Sequence, residues 1–366
     1  MKVILTGLVG LSIASTLHAQ NHHKDFSHII KKIDVGGEHF SLKKIDKDLG
    51  PLVSMIDHMQ IYTQEMGNVP MLSLKQLIAH TGVHSISGIG QSAKKFDYGW
   101  SNKTYIEHSS SDLIGAFTMN QSNWQAPTIA PANSCAVFET TVNLKKAIPF
   151  VHTAMYGMVF DKEKMEVPNQ LMATPINPAT PAFTFKRLLE TTNVQVCGMA
   201  KLESSETIGQ GDLGYQGISG AICVSGLPEA LLQYMFSDLP YGFEKVTKGK
   251  VSYLREKVAT TTILSNTPKQ IVLQRTGKNT FWVSTSEGYL QEVLNAKAKL
   301  ADTPQYKKML THLPAKGSSL AYISPQLGKS MAKTTSHLSQ LLRKNQDTAP
   351  LRKVINKTAQ EMDTFF

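Results

Sequence analysis

The chain has 366 residues, 41% of them hydrophobic and 18% charged, with a formal net charge of +10. That balance excludes wholesale disorder, and the length is too great for one ordinary core and suits two domains. Lys and Arg are spread along the chain rather than blocked, so the charge points first to a soluble basic surface and second to an attraction for nucleic acid, anionic lipid or acidic polysaccharide.

Residues 1–19 have the form of a secretory signal peptide. Lys2 supplies the positive start, Val3 to Leu17 is broken only by small or hydroxyl residues, and Leu17-His18-Ala19 places a small residue ahead of Gln20. No Cys follows this run, which argues against a lipoprotein anchor, and no later stretch is apolar for the roughly 18 residues of a membrane span. The expected location is secreted or periplasmic, with no transmembrane span in the mature chain. Cleavage after Ala19 would free the amine of Gln20. That amine, two amides and the imidazole of His22 could then wrap Cu(II) or Ni(II) in a square plane, which makes His22 the one metal-ligand candidate.

Residues 20–45 are polar and His-rich around a cluster of Phe26, Ile29, Ile30 and Ile33 that ends at Gly36-Gly37. Residues 51–66 carry Leu52, Val53, Ile56, Met59 and Thr63 at helical spacing, with Pro51 in the first turn. A helix through Leu74, Leu77 and Ile78 stops at Gly82, and a strand is expected from Val83 to Gly90. Thr104–Glu107 follows, then a helix or strand from Leu113 to Met119, a loop at Pro127 and Pro131, a β-branched strand at Cys135–Thr141 and a helix from Leu144 to Met155. Four prolines in 167–183 read as a semi-stiff linker.

Two echoes suggest duplication. Leu74–Val83 resembles Phe185–Val194 at an offset of 111, and Pro131–Val137 resembles Pro314–Leu320 at an offset of 183. The second copy therefore carries about 72 further residues, within roughly 206–300. That insertion reads as strands at Gly220–Val224, Val251–Leu254, Thr260–Leu264, Gln270–Gln274 and Thr280–Ser284, with a helix from Glu287 to Leu300. Residues 326–366 are helical, with one stripe at Leu338, Leu341 and Leu342 and another at Leu351, Val354, Ile355, Met362 and Phe365. The expectation is an α+β chain of two related modules, each a mainly antiparallel sheet with helices on one face. The first module is 20–166 with a helical lead-in, the linker 167–183, the second module 184–345, and 346–366 an amphipathic helix.

The string Thr280–Glu287, then Leu290, Val293, Thr303-Pro304-Gln305-Tyr306, Leu313-Pro314 and Ser319–Ile323 resembles a run found in uncharacterised exported bacterial envelope proteins built from repeated α+β modules. The resemblance covers about 280–330. It implies an envelope location and this architecture, and carries no catalytic signature.

Chemistry is sparse. His80 and His84, two of twelve histidines, have a ligand-like spacing, but Gly82 between them argues against one helix face. Gly217-Ile218-Ser219-Gly220-Ala221 approaches a nucleophile elbow without its last Gly and reads more simply as a strand entry. Carboxylate pairs such as Glu107/Asp112 and Glu203/Glu206 are unavoidable among 28 acidic residues. Lys94-Lys95-Phe96-Asp97-Tyr98 and Lys248-Gly249-Lys250 are short for a nucleic-acid face. Cys135, Cys197 and Cys223 sit in apolar strand settings; at most one pair can form, and Cys197–Cys223 is preferred. With no catalytic residue or cofactor assigned, the expected function is non-catalytic binding or scaffolding in the envelope. The expected partner is a protein or an acidic polymer and not nucleic acid. The alternative is a hydrolase whose site is shared by the two modules.

Overall fold

A computed structural model describes residues 26–44, 80–96, 99–109, 113–118, 122–157, 167–176, 181, 183–208, 215–237, 241–249, 251–262 and 265–330. The expected signal peptide, Gln20–His22, the helices at 51–66 and 74–79 and the C-terminal helix beyond 330 lie outside these residues.

The first sheet is small. Helix α1 (Ser27–Ile30) precedes three antiparallel strands in chain order, β1 (His39–Lys44), β2 (Ile86–Phe96) and β3 (Gly99–His108). Ile86, Gly88, Gly90 and Ser92 of β2 turn inward. Ile29 of α1 lies so close that a Cβ at Gly88 or Gly90 would stand 2.6 or 2.1 Å from it. The strand expected from Val83 starts three residues later, because Gly82 at φ 78° leads into a 3-10 turn at Val83–Ser85.

Helix α2 (Leu113–Thr118), strand β4 (Ser122–Asn123) and helix α3 (Ala126–Ile129) lead into β5 (Ala136–Asn143). Helices α4 (Leu144–Gly157), α5 (Val167–Ala173) and α6 (Phe185–Thr191) follow, then β6 (Asn193–Ile208), β7 (Tyr215–Ser225) and α7 (Glu229–Ser237). Next come β8 (Phe243–Lys248), β9 (Val251–Glu256), the hairpin β10 (Thr260–Thr262) and β11 (Ser265–Lys269), β12 (Val272–Arg275) and β13 (Thr280–Ser284). Helix α8 (Glu287–Asn295), a 3-10 turn at Leu300–Asp302, α9 (Pro304–Leu310), β14 (Lys316–Gly317), β15 (Ser319–Ile323) and a helix at 325–330 complete the described chain. Hydroxyl caps start three of these helices: Thr184, Ser286 and Thr303 accept from the amides of Arg187, Tyr289 and Tyr306.

Eight antiparallel strands form the main sheet, in the order β15-β5-β6-β7-β13-β12-β9-β8. Register fixes its two faces. Tyr322, Val137, Met199 and Ala221 are successive partners, as are Glu139, Cys197, Cys223 and Trp282. This inner face meets α3, α8, the 3-10 turn and α9 in one core with Ala130, Tyr289, Leu290, Val293, Leu300 and Tyr306. Glu139 is buried in it. Its carboxylate accepts from the amides of Gln125 and Ala126 at 2.7 and 2.8 Å and from Gln195 Nε2 at 2.6 Å, so its charge lies at the N-terminal end of α3.

The α+β class and antiparallel pairing agree with the sequence. Three local expectations do not. Not every helix shares one face: α7 lies on the side opposite α8, where Glu229 pairs with Arg275 at 3.0 Å and Phe236 approaches Leu254. Residues 167–183 begin as helix α5, because Pro168 falls in its first turn, where a missing N–H costs nothing. The helix from Glu287 ends at Asn295 rather than Leu300. Tertiary bonds divert the chain, since Leu300 donates to Ala130 O at 2.9 Å and Ala132 donates to Ala298 O at 3.1 Å. Strands on both sides of 167–183 share the main sheet, through β5–β6 and β5–β15 pairing. Of the first echo, Leu74–Ala79 lie outside the described residues, and the strands at its two ends belong to different sheets, β2 just after Val83 in the small one and β6 from Asn193 in the main one; the second echo runs into adjacent strands β5 and β15.

Two substitutions test this framework. Gly226 (φ 87°) ends β7 with its Cβ position 2.0 Å from Asn193 O, while Gly242 (φ 86°) has open space. In urea titrations Gly242→Ala is expected to cost about 1 kcal/mol from backbone strain alone, and Gly226→Ala about 3 kcal/mol or more; equal losses would refute the close approach. Glu139→Ala leaves two amide donors without their acceptor and is expected to cost about 3 kcal/mol, with Glu139→Gln milder because an acceptor oxygen remains.

Candidate functional site

The main sheet leaves an apolar row on its outer face. Ala321, Phe138, Gly198, Ile222, Val283 and Leu273 are successive register partners across six strands. Phe138, Ile222 and neighbouring Ile323 remain 42%, 39% and 43% exposed. The Phe138 ring lies over Gly198, where an added Cβ would meet Cε1 at 1.8 Å. Glycine there lets an aromatic from the next strand cover the bare backbone. Large apolar groups held side by side on a rigid sheet face are a docking chemistry, since each loses water-exposed area only when something covers it.

The inner face carries a polar cluster at one end. Ser219 Oγ donates to Glu203, and Lys269 Nζ donates to Ser219 Oγ at 3.2 Å and lies 3.7 Å from Glu203 Oε1. Beside it, Lys201 pairs with Glu292 and stands 5.4 Å over the Tyr289 ring, while Asn133 donates to Glu292 at 2.9 Å. Burial pushes the Glu292 carboxyl up, but the hydrogen bonds of Asn133 and Lys201 and the Lys201 charge outweigh it and hold it below the usual value. Burial raises the Tyr289 phenol, and the Glu292 charge adds to that. The cluster neutralises its own charges. Ser219 is 1% exposed, in mid-strand and donating to a carboxylate. In this arrangement the Ser219 hydroxyl gives its proton to Glu203 and accepts from Lys269, so its hydrogen-bonding capacity is spent within the cluster.

A concavity of about 420 Å³ between α4, α5 and α6 is lined by Ile148, Pro149, His152, Asn169, Met172 and Lys186. His152 and Asn169 are hydrogen-bonded at 3.1 Å, and no carboxylate lines it.

The residues singled out in the sequence come together only in part. His22 and Asp112 lie outside the described residues. His80 closes a helix at 80–81, and the left-handed Gly82 separates it from the 3-10 turn of His84, so no common helix face exists. Ser219 sits in β7, not on an elbow. Among the described residues no group of three His, Cys, Asp or Glu side chains could hold a metal ion. Glu203 joins Lys269, whereas Glu107 lies in the small sheet. Lys201, Lys269 and Glu292 escaped the sequence reading. The i,i+2 spacing of Lys201 and Glu203 marks a shared strand face, but nothing local announces partners from β11 and α8.

Cys197 and Cys223 are directly opposed in β6 and β7, and both are free, as is Cys135. Burial raises all three thiols, Cys135 and Cys223 to about 11 and Cys197, with added repulsion from Glu139 and Cys223, to about 12. No family model matches the chain, and no curated protein or solved structure is detectably similar to it. Among the described residues no helix is long and apolar enough to cross a membrane.

The thiols set a pH test. Folded pKa values above the ordinary 9.0 mean that the unfolded chain releases these protons first. Their contribution is therefore complete below about pH 9 and is lost as pH rises through 11 to 12. Urea midpoints should fall above pH 9, and the fall should be shallower in Cys197→Ala/Cys223→Ala. A thiol reagent should label the native chain slowly and the unfolded chain at all three positions.

Proposed function

We propose that this is an exported, non-catalytic binding or scaffold protein of the bacterial envelope that engages a partner protein through the outer face of its main sheet. The row of Phe138, Gly198 and Ile222 with Ile323 carries this reading: three large apolar side chains stay exposed together on one face of the sheet. The signal-like residues 1–19 support export, and the resemblance of 280–330 to envelope proteins supports the location. The second echo supports a duplicated strand–helix unit, because β5 and β15 pair with each other and each runs on into a helix.

A second reading, an envelope hydrolase, is favoured by the Ser219–Glu203–Lys269 contacts alone, and the burial of Ser219 counts against it.

The test is a benzophenone side chain carried at Ile222 in cells producing the full chain, with Lys278, exposed on the β12–β13 turn, as the control position. A discrete heteromeric adduct from Ile222 and not from Lys278, lost in Phe138→Ser, is the expected result. Adducts of equal intensity from both positions, or none, would end the docking proposal. Hydrolysis of an ester substrate that disappears in Ser219→Ala would favour the second reading.

A further inference from the structure

We propose that one corner of the main sheet is a lipid-contacting tip, which dips into the headgroup region of an anionic bilayer without crossing it. At this corner β8 begins, β9 ends and β12 begins. Lys257 N donates to Gly242 O at 2.8 Å and Glu256 N to Ile271 O at 2.9 Å. Tyr241, Val258 and Ile271 are therefore held within one or two residues of the same two bonds. All three side chains stand in solvent. Tyr241 is 105% and Val258 70% exposed, and Ile271 is 38% exposed. The next most exposed large apolar side chain among the described residues is Leu171, at 51%. Gly242, at φ 86°, turns the chain between Tyr241 and β8, and nothing lies within 4 Å of its Cβ position. The corner thus projects, and it carries its apolar groups outward rather than around a hollow.

Size and shape select the occupant. A stable protein interface takes roughly 20–30 residues a side on a broad complementary surface. A projecting tip with three apolar side chains falls short of that, whereas a fluid bilayer closes around a tip of any shape. The side chains suit its layers. The Tyr241 ring with its hydroxyl fits the headgroup level, and Val258 and Ile271 fit the apolar boundary beneath it. Exposed cations flank them: Lys257 adjoins Val258, and Lys245 lies two residues past Phe243. The nearby carboxylates are Glu244, paired with Arg255 at 2.6 Å, and Glu256, whose Oε2 accepts from the Ile271 amide at 3.0 Å. Lys245, Arg255 and Lys257 thus outnumber Glu244 and Glu256, a small excess that acts with the +10 charge of the whole chain to favour anionic lipid. Apolar contact supplies the rest of the attraction. The surface is separate from the docking row, whose Ile222 lies on β7, beyond β13 from β12.

The test floats the purified full chain on a density gradient with vesicles of phosphatidylcholine, with and without phosphatidylglycerol. The chain should float with the mixed vesicles, and less with phosphatidylcholine alone. Tyr241→Ser/Val258→Ser should lower partitioning about tenfold at an unchanged melting temperature. Val35→Ser/Leu171→Ser, which removes exposed apolar surface elsewhere, should change little. A polarity-sensitive dye on Val258→Cys should shift to the blue when mixed vesicles are added, and the same dye on Lys278→Cys should not; the native thiols are buried. No flotation with the mixed vesicles would overturn the assignment. Equal loss in both double variants would reduce the effect to general stickiness and overturn it too, as would a dye at position 258 that stays in water while the chain floats. None of these outcomes bears on the apolar row of the main sheet.

Discussion

A carboxylate buried under a sheet-covering layer has to be answered by donors, and Glu139 is answered by three. Two of them are backbone amides at the start of α3, and the third is Gln195 on the adjacent strand β6. The bond to α3 anchors a sequence of further attachments. Ala130, just past α3, accepts from Leu300, and Ala132 donates to Ala298. Through them the segment linking α8 to α9 is held over the sheet, and with it the Leu300 and Tyr306 side chains that close the core. The charge also acts on its neighbours, adding to burial in raising the Cys197 thiol and the Tyr306 phenol. One ionised group thus costs desolvation and in return sets where a short helix, and everything tied to it, must lie.

Much of the strand and helix content was legible in the residues, for reasons that can be named. Thr280–Ser284 is β-branched and aromatic between turn-forming neighbours, and its observed limits match the reading. Leu144 to Met155 has helical spacing, and its interior Pro149 did not break it. What failed was decided at long range. The run from Glu287 has no local reason to stop at Asn295; the stop comes from bonds to residues some 165 positions earlier. β1 and most of β3 went unread because their alternate positions carry Lys, Asn, Thr and His, and only pairing with β2 shows them to be strands.

The polar groups show the same division. Lys201, Glu203, Lys269 and Glu292 are ordinary surface residues by composition and become a cluster only because β6, β11 and α8 converge. The lysines of β2 differ. Lys94-Lys95-Phe96 was visible as a short basic-aromatic run, but its surroundings depend on Trp100 across the hairpin, His39 across the sheet and His312 from a turn more than 200 residues later. Sequence proximity alone showed two positive charges; tertiary structure gave them their supports. The apolar row is a third case, since Phe138 and Ile222 each look like core residues in their own strands, and only the register reveals that they share the uncovered face.

The position of β15 has a consequence for how the chain assembles. Its partner is β5, through Leu320 with Glu139 and Tyr322 with Val137, and the same late region contributes β14 to an early strand, β4. During synthesis β5 can therefore gain its second neighbour only after residue 323 has emerged. Until then it presents an unpaired hydrogen-bonding edge beside an oily surface, the combination most prone to self-association. Contacts this distant in sequence close slowly. The nascent chain thus depends on whatever shields its open rim, and a truncation ahead of β15 should behave less like a smaller version of this protein than like an arrested stage of its folding.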